Sequence, residues 1–341
     1  MRGRWLLTVA LVLGLVSAAA ARSQQPFDEW LAELVAEART KGYADELLTK
    51  TLAGLTPLPG VIASDRRQPE AMLPFEEYIR RRVTPERIQR ARELAEQHRA
   101  LLDRVREAYG VPPAIIVSIW GLESRFGERS GDIPVFQALA TLAWEGRRAA
   151  FFRGQLYEAI AMVDRGYIDA ASMKGSWAGA MGQPQFMPSS YLAWAVDFDG
   201  DGRRDIWASA ADTFASIANY LAGHGWKAGE PWGHEVQTSP GSEQRAARAF
   251  GRRESGCRAM REMIGPARRA EWSRLGVRRT ESEDPPKPVE TVSSAKTVPT
   301  AALVRAGDRR FLVHGNYDAI LRYNCSHHYA LSVTLLADRI E

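Results

Sequence analysis

Glu123 is the residue whose setting most invites chemistry. It ends the apolar run Ile119-Trp120-Gly121-Leu122-Glu123 and precedes Ser124-Arg125-Phe126-Gly127. On a helix, side chains three and four apart share a face, which places Ile119, Trp120 and Phe126 around its carboxyl. Apolar neighbours disfavour the ionised form, and the negative end of a helix dipole acts in the same direction. A glutamate kept protonated near neutral pH can donate a proton to a leaving oxygen, such as that of a glycosidic bond. Gly121 and Gly127 would leave room for a polymer to approach. Local sequence leaves two other readings open: an ion pair with Arg125 or Arg129, or a cap on a neighbouring loop.

Three further groups of residues carry chemistry. The small-residue stretch Gly175-Ser176-Trp177-Ala178-Gly179-Ala180-Met181-Gly182 runs into Gln183-Pro184-Gln185-Phe186. Its Ser176 and Gln185 suit the amide and hydroxyl groups of N-acetylated sugars, while Trp177 and Phe186 suit either sugar rings or the core. Near the C-terminus stand Tyr323, Asn324 and Tyr329, with a helix cap at Asn324 or Ser326 as the plainer reading. Asp197, Asp199, Asp201, Gly202, Arg203 and Asp205 follow the spacing of an EF-hand loop. Ala208 stands where that loop needs its closing carboxylate, so Asp212 would have to close it. Such clustered carboxylates favour a structural calcium or sodium ion; an acidic turn paired with Arg203 and Arg204 is the alternative. Catalysis itself calls for no cofactor. Cys257 and Cys325 are the only cysteines and suggest one disulfide, with two separate buried thiols as the alternative.

These groups need a scaffold, and the chain of 341 residues reads as mainly helical. Residues 1–21 have a basic start, an apolar middle and a small-residue end, the pattern of an export signal. The apolar run is short for a membrane span, so the expectation is a periplasmic protein without a transmembrane anchor. Thr84-Pro85-Glu86 should cap one long helix that stops at Gly110, and Pro112-Pro113 should open the apolar helix that carries Glu123. Helical spacing returns over 151–165, 211–222 and 329–340. The Gly-, Pro- and Trp-rich stretch 229–241 reads as surface loop, and 303–313 as a hairpin turning at Gly307-Asp308. The expected fold is mainly α with a small antiparallel β part. The division runs 22–110 (helical), 111–232 (core, with the aspartate loop 197–212), 233–316 (loops and β) and 317–341 (helical return). A net charge of +4 is mild, and the basic residues are spread along the chain. That argues against nucleic acid and is compatible with an acidic polymer outside the cytoplasm.

Taken in order, the motifs resemble the lytic murein transglycosylase B family. The likeness rests on Gly121 to Gly127, Ser176 to Gly182 with Gln185 to Ser189, Asn219-Tyr220 with His224-Gly225-Trp226, and Tyr323-Asn324 with Tyr329. The resemblance implies a lysozyme-like core, a helical N-terminal domain and a small β domain. It also implies that Glu123 is the catalytic acid and base, and that Ser176 and Gln185 touch the adjoining N-acetyl sugar. Tyr323, Asn324 and Tyr329 would border the cleavage site, and Tyr78 falls where the family has another active-site tyrosine. The implied partners are peptidoglycan glycan strands, bound by a monomer. Glycosidases commonly use two carboxylates, yet Asp132, Glu145, Asp164 and Asp169 lack a setting like that of Glu123. The implied reaction uses one acid, closes a 1,6-anhydro ring and consumes no water. A lysozyme-like hydrolase and a non-catalytic wall-binding protein are the competing expectations.

Overall fold

The computed structural model describes residues 25–67, 73–280 and 300–340. The expected export segment 1–21 and most of the Pro- and Thr-rich stretch after Thr280 lie outside the described residues. The chain begins with helices α1 (Phe27–Thr40), α2 (Asp45–Leu52), α3 (Pro59–Arg67) and α4 (Phe75–Arg82). Thr84 then caps α5 (Pro85–Gln97), its Oγ accepting from the Arg87 N–H at 3.2 Å. The single helix expected as far as Gly110 is in fact two, because α6 (Arg99–Tyr109) starts anew after His98. The His98 ring wedges edge-on against Trp120 and Phe214, at 5.9 and 5.3 Å, and its backbone leaves helical geometry there. Gly110 ends α6 in the left-handed conformation that glycine tolerates (φ 72°).

Helix α7 (Pro113–Ser124) is apolar on every side and almost every residue of it is buried. A helix with no polar stripe belongs in the middle of a core. It packs against α5, α6, α11 (Ala210–Gly223) and the C-terminal α16 (His327–Ile340). Between these lie β1 (Ile133–Pro134), α8 (Val135–Glu145), α9 (Ala149–Asp164), β2 (Lys174–Gly175) and α10 (Pro188–Trp194). The two short strands pair antiparallel and anchor the start of the glycine-rich segment. Among the described residues, no helix is long and apolar enough to cross a membrane.

The β part is a five-stranded antiparallel sheet in the order β4-β6-β7-β3-β5. Its strands are β3 (Gly233–Thr238), β4 (Ile264–Arg268), β5 (Val277–Arg279), β6 (Thr300–Ala306) and β7 (Arg309–Val313). Helices α12 (Ser242–Phe250), α13 (Arg258–Glu262) and α14 (Arg269–Arg274) connect them, and α15 (Gly315–Tyr323) follows. The expected hairpin is present, with Ala306 opposite Arg309 across Gly307-Asp308. The stretch 229–241 is not all loop: β3 lies within it, between β7 and β5. Alternation along β6 decides which residue faces which core. Ala302 and Val304 join the main core, whereas Ala301 and Leu303 join a smaller one built around the fully buried Trp272. The sheet is therefore covered on both faces, and one face is continuous with the packing around α7.

Candidate active site

Glu123 is the penultimate residue of α7 and is half-buried. Directly after the helix, Arg125 and Phe126 both adopt left-handed backbone angles (φ 51° and 60°). Side chains other than glycine rarely do so, and such residues gather at functional sites. The turn folds the Phe126 ring back over the helix end, 5.4 Å from the Trp120 ring and edge-on to it. A β-carbon on Gly121 would lie 2.4 Å from that ring, and one on Gly127 would lie 2.6 Å from the Gln183 carboxamide. These glycines were expected to leave room for a polymer. The space is instead filled by Phe126 and Gln183, so their smallness serves packing under the site.

Gln183 binds the helix end to the glycine-rich segment. Its Oε1 accepts from Trp120 Nε1 at 2.7 Å, and its Nε2 donates to the Trp207 carbonyl at 2.9 Å. Ser124 completes the support, donating to the Trp120 carbonyl and accepting from the Gly127 N–H. A buried indole N–H deprived of its partner costs about 1–3 kcal/mol. Gln183 is thus a positioning residue that sequence reasoning passed over. The available signal was a large polar side chain in a stretch otherwise small and apolar.

The residues singled out in the glycine-rich segment have definite places. Ser176 sits half-exposed at the head of a turn, its Oγ accepting from the Ala180 N–H at 3.2 Å. Gln185 is the third left-handed residue other than glycine (φ 54°), and its Nε2 donates to the carbonyls of Ser130 and Gly182, each at 2.9 Å. Of the two aromatic rings, Phe186 is core, 2% exposed, and Trp177 is half-buried against it. Ring stacking on a sugar is therefore excluded for Phe186.

The C-terminal tyrosines close on Glu123 from the far end of the sequence. The Tyr323 hydroxyl donates to the Pro184 carbonyl at 2.6 Å, next to Gln185. Its ring lies 6.4 Å from that of Tyr329, nearly parallel, and 4.8 Å from Tyr220. Tyr329 is buried, and its hydroxyl makes no hydrogen bond of regular geometry, yet it faces the Glu123 carboxylate. Burial, followed by the Glu123 charge, pushes both phenols well above the ordinary tyrosine range. Both hydroxyls therefore keep their protons at neutral pH and can donate hydrogen bonds. Tyr220 is also pushed up by burial, to about 12, and donates to the Arg322 carbonyl at 2.6 Å. It was named in a motif but not as a site residue.

Tyr78 and Asn324 complete the set. Tyr78 is buried on α4, with the His328 ring edge-on at 5.3 Å and the Arg82 guanidinium 5.7 Å from its ring centre. The positive charge of Arg82 also acts on Tyr329, which ties α4 to the same cluster. Asn324 is exposed and caps α15, while Ser326 Oγ accepts from the Tyr329 N–H at 3.4 Å. The plainer reading of this turn is therefore also present. Cys257 and Cys325 form a disulfide, with Cα atoms 6.1 Å apart.

The other carboxylates considered as a second acid are placed elsewhere. Glu145 takes two hydrogen bonds from Arg66, and Asp169 pairs with Lys50 at 2.7 Å. Asp132 and Asp164 are exposed. In the aspartate loop, carboxylate oxygens of Asp197, Asp199 and Asp212 lie within 4.8 Å of one another. Asp212, at 0% exposure, takes the closing role and accepts from the N–H groups of Phe198 and Asp205. Burial raises its pKa. Asp201 stands outside this trio and accepts from the Arg203 N–H, and Arg203 lies 4.0 Å from Asp205.

Comparison with known proteins places this geometry in context. Residues 26–338 match the family described as the transglycosylase SLT domain. Over 154 residues the chain is 43% identical to membrane-bound lytic murein transglycosylase B of Escherichia coli (strain K12), a segment covering 45% of this chain and 42% of that protein. The structure of SltB3 from Pseudomonas aeruginosa, in complex with NAG-anhNAM-pentapeptide, superposes with a TM-score of 0.79 at 38% identity, over 92% of this chain and 79% of that one. Escherichia coli Slt35 in complex with calcium gives a TM-score of 0.72 at 28% identity, over 92% of each chain.

Proposed function

The chain belongs to the transglycosylase SLT domain family, and on that footing we propose that it is a periplasmic enzyme that cleaves peptidoglycan glycan strands. The bond is the β-1,4 linkage from N-acetylmuramic acid to N-acetylglucosamine, and the product carries a 1,6-anhydro end. One observation carries this reading: Glu123 stands in the last turn of a buried helix and faces the protonated, buried Tyr329 phenol, with the half-buried Tyr323 beside it, and no other candidate carboxylate joins it among the described residues.

Glu123 in its acid form protonates the glycosidic oxygen, and the C1–O4 bond breaks. The substrate's own N-acetyl oxygen stabilises the cation that develops at C1. The carboxylate then takes the proton from the O6 hydroxyl as the C1–O6 bond forms, which restores the acid without water. The Tyr329 and Tyr323 phenols hold the carboxyl side of the site in place, while Ser176, Gln185, Tyr78 and Asn324 bind the flanking sugars. Support for the substrate class comes from the relatives, one of them solved with a muropeptide. The test is digestion of purified peptidoglycan with mass analysis of the fragments. Anhydro ends are expected. Reducing ends would assign the chain to hydrolases, and absence of soluble fragments would leave a binding role.

The aspartate trio suits calcium, a hard cation that takes carboxylate oxygens. Three carboxylates so close repel one another, and Asp212 is buried, so a cation relieves a cost the fold otherwise bears. The ion's role is to hold the loop between α10 and α11. Calcium at about 100 times its dissociation constant should stabilise the fold by roughly 2.7 kcal/mol. Scanning calorimetry should register this as a raised Tm that Asp212→Asn removes; an unchanged Tm in wild type would refute the site.

A further inference from the structure

A second site lies on the β part, in a cavity of about 240 Å³. Arg269, Arg278, Arg279 and His234 surround it, over a floor of Trp272 and Leu312. The fold explains the convergence. Val236 pairs with Arg279 and His234 with Leu312, so His234, Val236, Leu312, Val277 and Arg279 share one face of the sheet. The apolar members of that face pack on Trp272 in the small core. His234 and Arg279 stand where that core stops, and α14 adds Arg269 from above.

The charge of this cavity is uncompensated among the described residues. No carboxylate lines it, and none of its three arginines holds an ion pair. Neighbouring arginines of the same sheet behave differently: Arg309 is paired with Glu235 and Arg310 with Glu243. Burial and the positive charges of Arg279, His314 and Arg269 push the His234 imidazole down to about 4. It is therefore neutral at pH 7 and can offer an N–H donor. Guanidinium forks beside a neutral donor match a carboxylate on a short organic chain. The volume equals roughly eight waters at about 30 Å³ each, enough for one amino-acid side group.

We propose that this cavity binds a free carboxylate of the peptide stems on the glycan strand, and so holds the substrate at a distance from Glu123. The proposal rests on the peptidoglycan reading for its ligand, but its test does not need cleavage. A sugar-free stem tetrapeptide is titrated into the full chain, with affinity read by calorimetry and the His234 ring by NMR. The free-acid peptide should bind and move the His234 resonances, and its fully amidated form should do neither. Arg269→Gln with Arg279→Gln should weaken binding about tenfold or more, whereas the double lysine variant should recover part of it. If the double glutamine variant does not fold, as judged by its melting curve, each single substitution is read in the same way. Equal binding of the amidated peptide, unchanged affinity in the variants or an unmoved His234 would overturn the proposal. Inorganic phosphate binding as tightly as the peptide would also overturn it, as a generic anion site. So would a failure to bind caused by the acids that follow in sequence, Glu281, Glu283 and Asp284, recognised because a full chain with Glu281→Gln, Glu283→Gln and Asp284→Asn then binds. Because the probe has no glycosidic bond, this result is independent of whether the peptidoglycan digest yields anhydro ends.

Discussion

Glu123→Gln is expected to leave the fold intact and to reduce release of soluble fragments from peptidoglycan by about 10³-fold or more. The substitution keeps the shape of the side chain but replaces one carboxyl oxygen by an NH2 donor, and so removes its capacity to give and take a proton. In a single-acid reaction that proton is needed twice, first given to the leaving oxygen and then recovered from the attacking hydroxyl. The fold should tolerate the change because Glu123 stands at the last turn of α7, half-buried, while the load of that helix rests on Ile116, Ile119 and Trp120. The measurement pairs fragment release with a melting curve and sedimentation of the protein with intact peptidoglycan. Normal melting, retained binding and no release are expected. Near-wild-type release would remove Glu123 from the mechanism.

How much of this was readable from sequence depended on whether the cause was local. The position of Glu123 at a helix end followed from Pro112-Pro113, the apolar run and Gly127, all within one short stretch. The hairpin at Gly307-Asp308 was equally local. The break at His98 was not, because its cause is contact with Trp120 and Phe214, distant in sequence. Strand β3 was hidden by its surroundings: Gly229, Pro231, Trp232 and Gly233 look like loop, and only pairing with β5 and β7 makes 233–238 a strand. The roles of Gly121 and Gly127 were misjudged for the same reason. A glycine in sequence signals space, but the occupant of that space here is an aromatic ring from the next turn at Gly121 and, at Gly127, the carboxamide of the distant Gln183.

The site residues divide along the same line. Ser176, Gln185, Tyr323, Asn324 and Tyr329 came forward through ordered motifs, since each alone had an ordinary explanation. The structure adds what no motif carries, namely the approach of Tyr323 to Pro184 across 139 residues and of Tyr329 to Glu123. The left-handed backbone at Arg125, Phe126 and Gln185 was not legible either. Residues of those types seldom occupy that region, so only the surrounding packing can enforce it. These three residues mark both ends of the wall that Gln183 fastens together.

Removal of the disulfide by Cys257→Ser with Cys325→Ser should be the largest stability change that substitutes none of the proposed catalytic side chains. The bridge closes 68 residues, and by loop-closure entropy that amounts to about 4 kcal/mol. The closed segment contains β4 to β7, so the bridge staples the sheet to the helical core where the chain returns to α15 and α16. For a chain of this size roughly 2 °C per kcal/mol implies a fall in Tm of roughly 8 °C. A second effect should appear in catalysis. Cys325 lies between the last residues of α15 and the turn that leads into Tyr329, and its sulfur accepts from the Ala259 N–H at 3.3 Å. Nearby, Arg253 pairs with Asp318 at 2.6 Å, and the Tyr317 hydroxyl meets His327 at 3.0 Å. These contacts hold both ends of the segment, so the variant should still fold at low temperature. What loosens is the span between Tyr323 and Tyr329, and with it the phenol that faces Glu123. Fragment release well below the melting transition should therefore fall, and a mild reductant should reproduce both effects in wild type while leaving the double variant unchanged. A drop in Tm with full activity would confine the bridge to the sheet; an unaltered Tm would mean that packing alone closes this part of the fold.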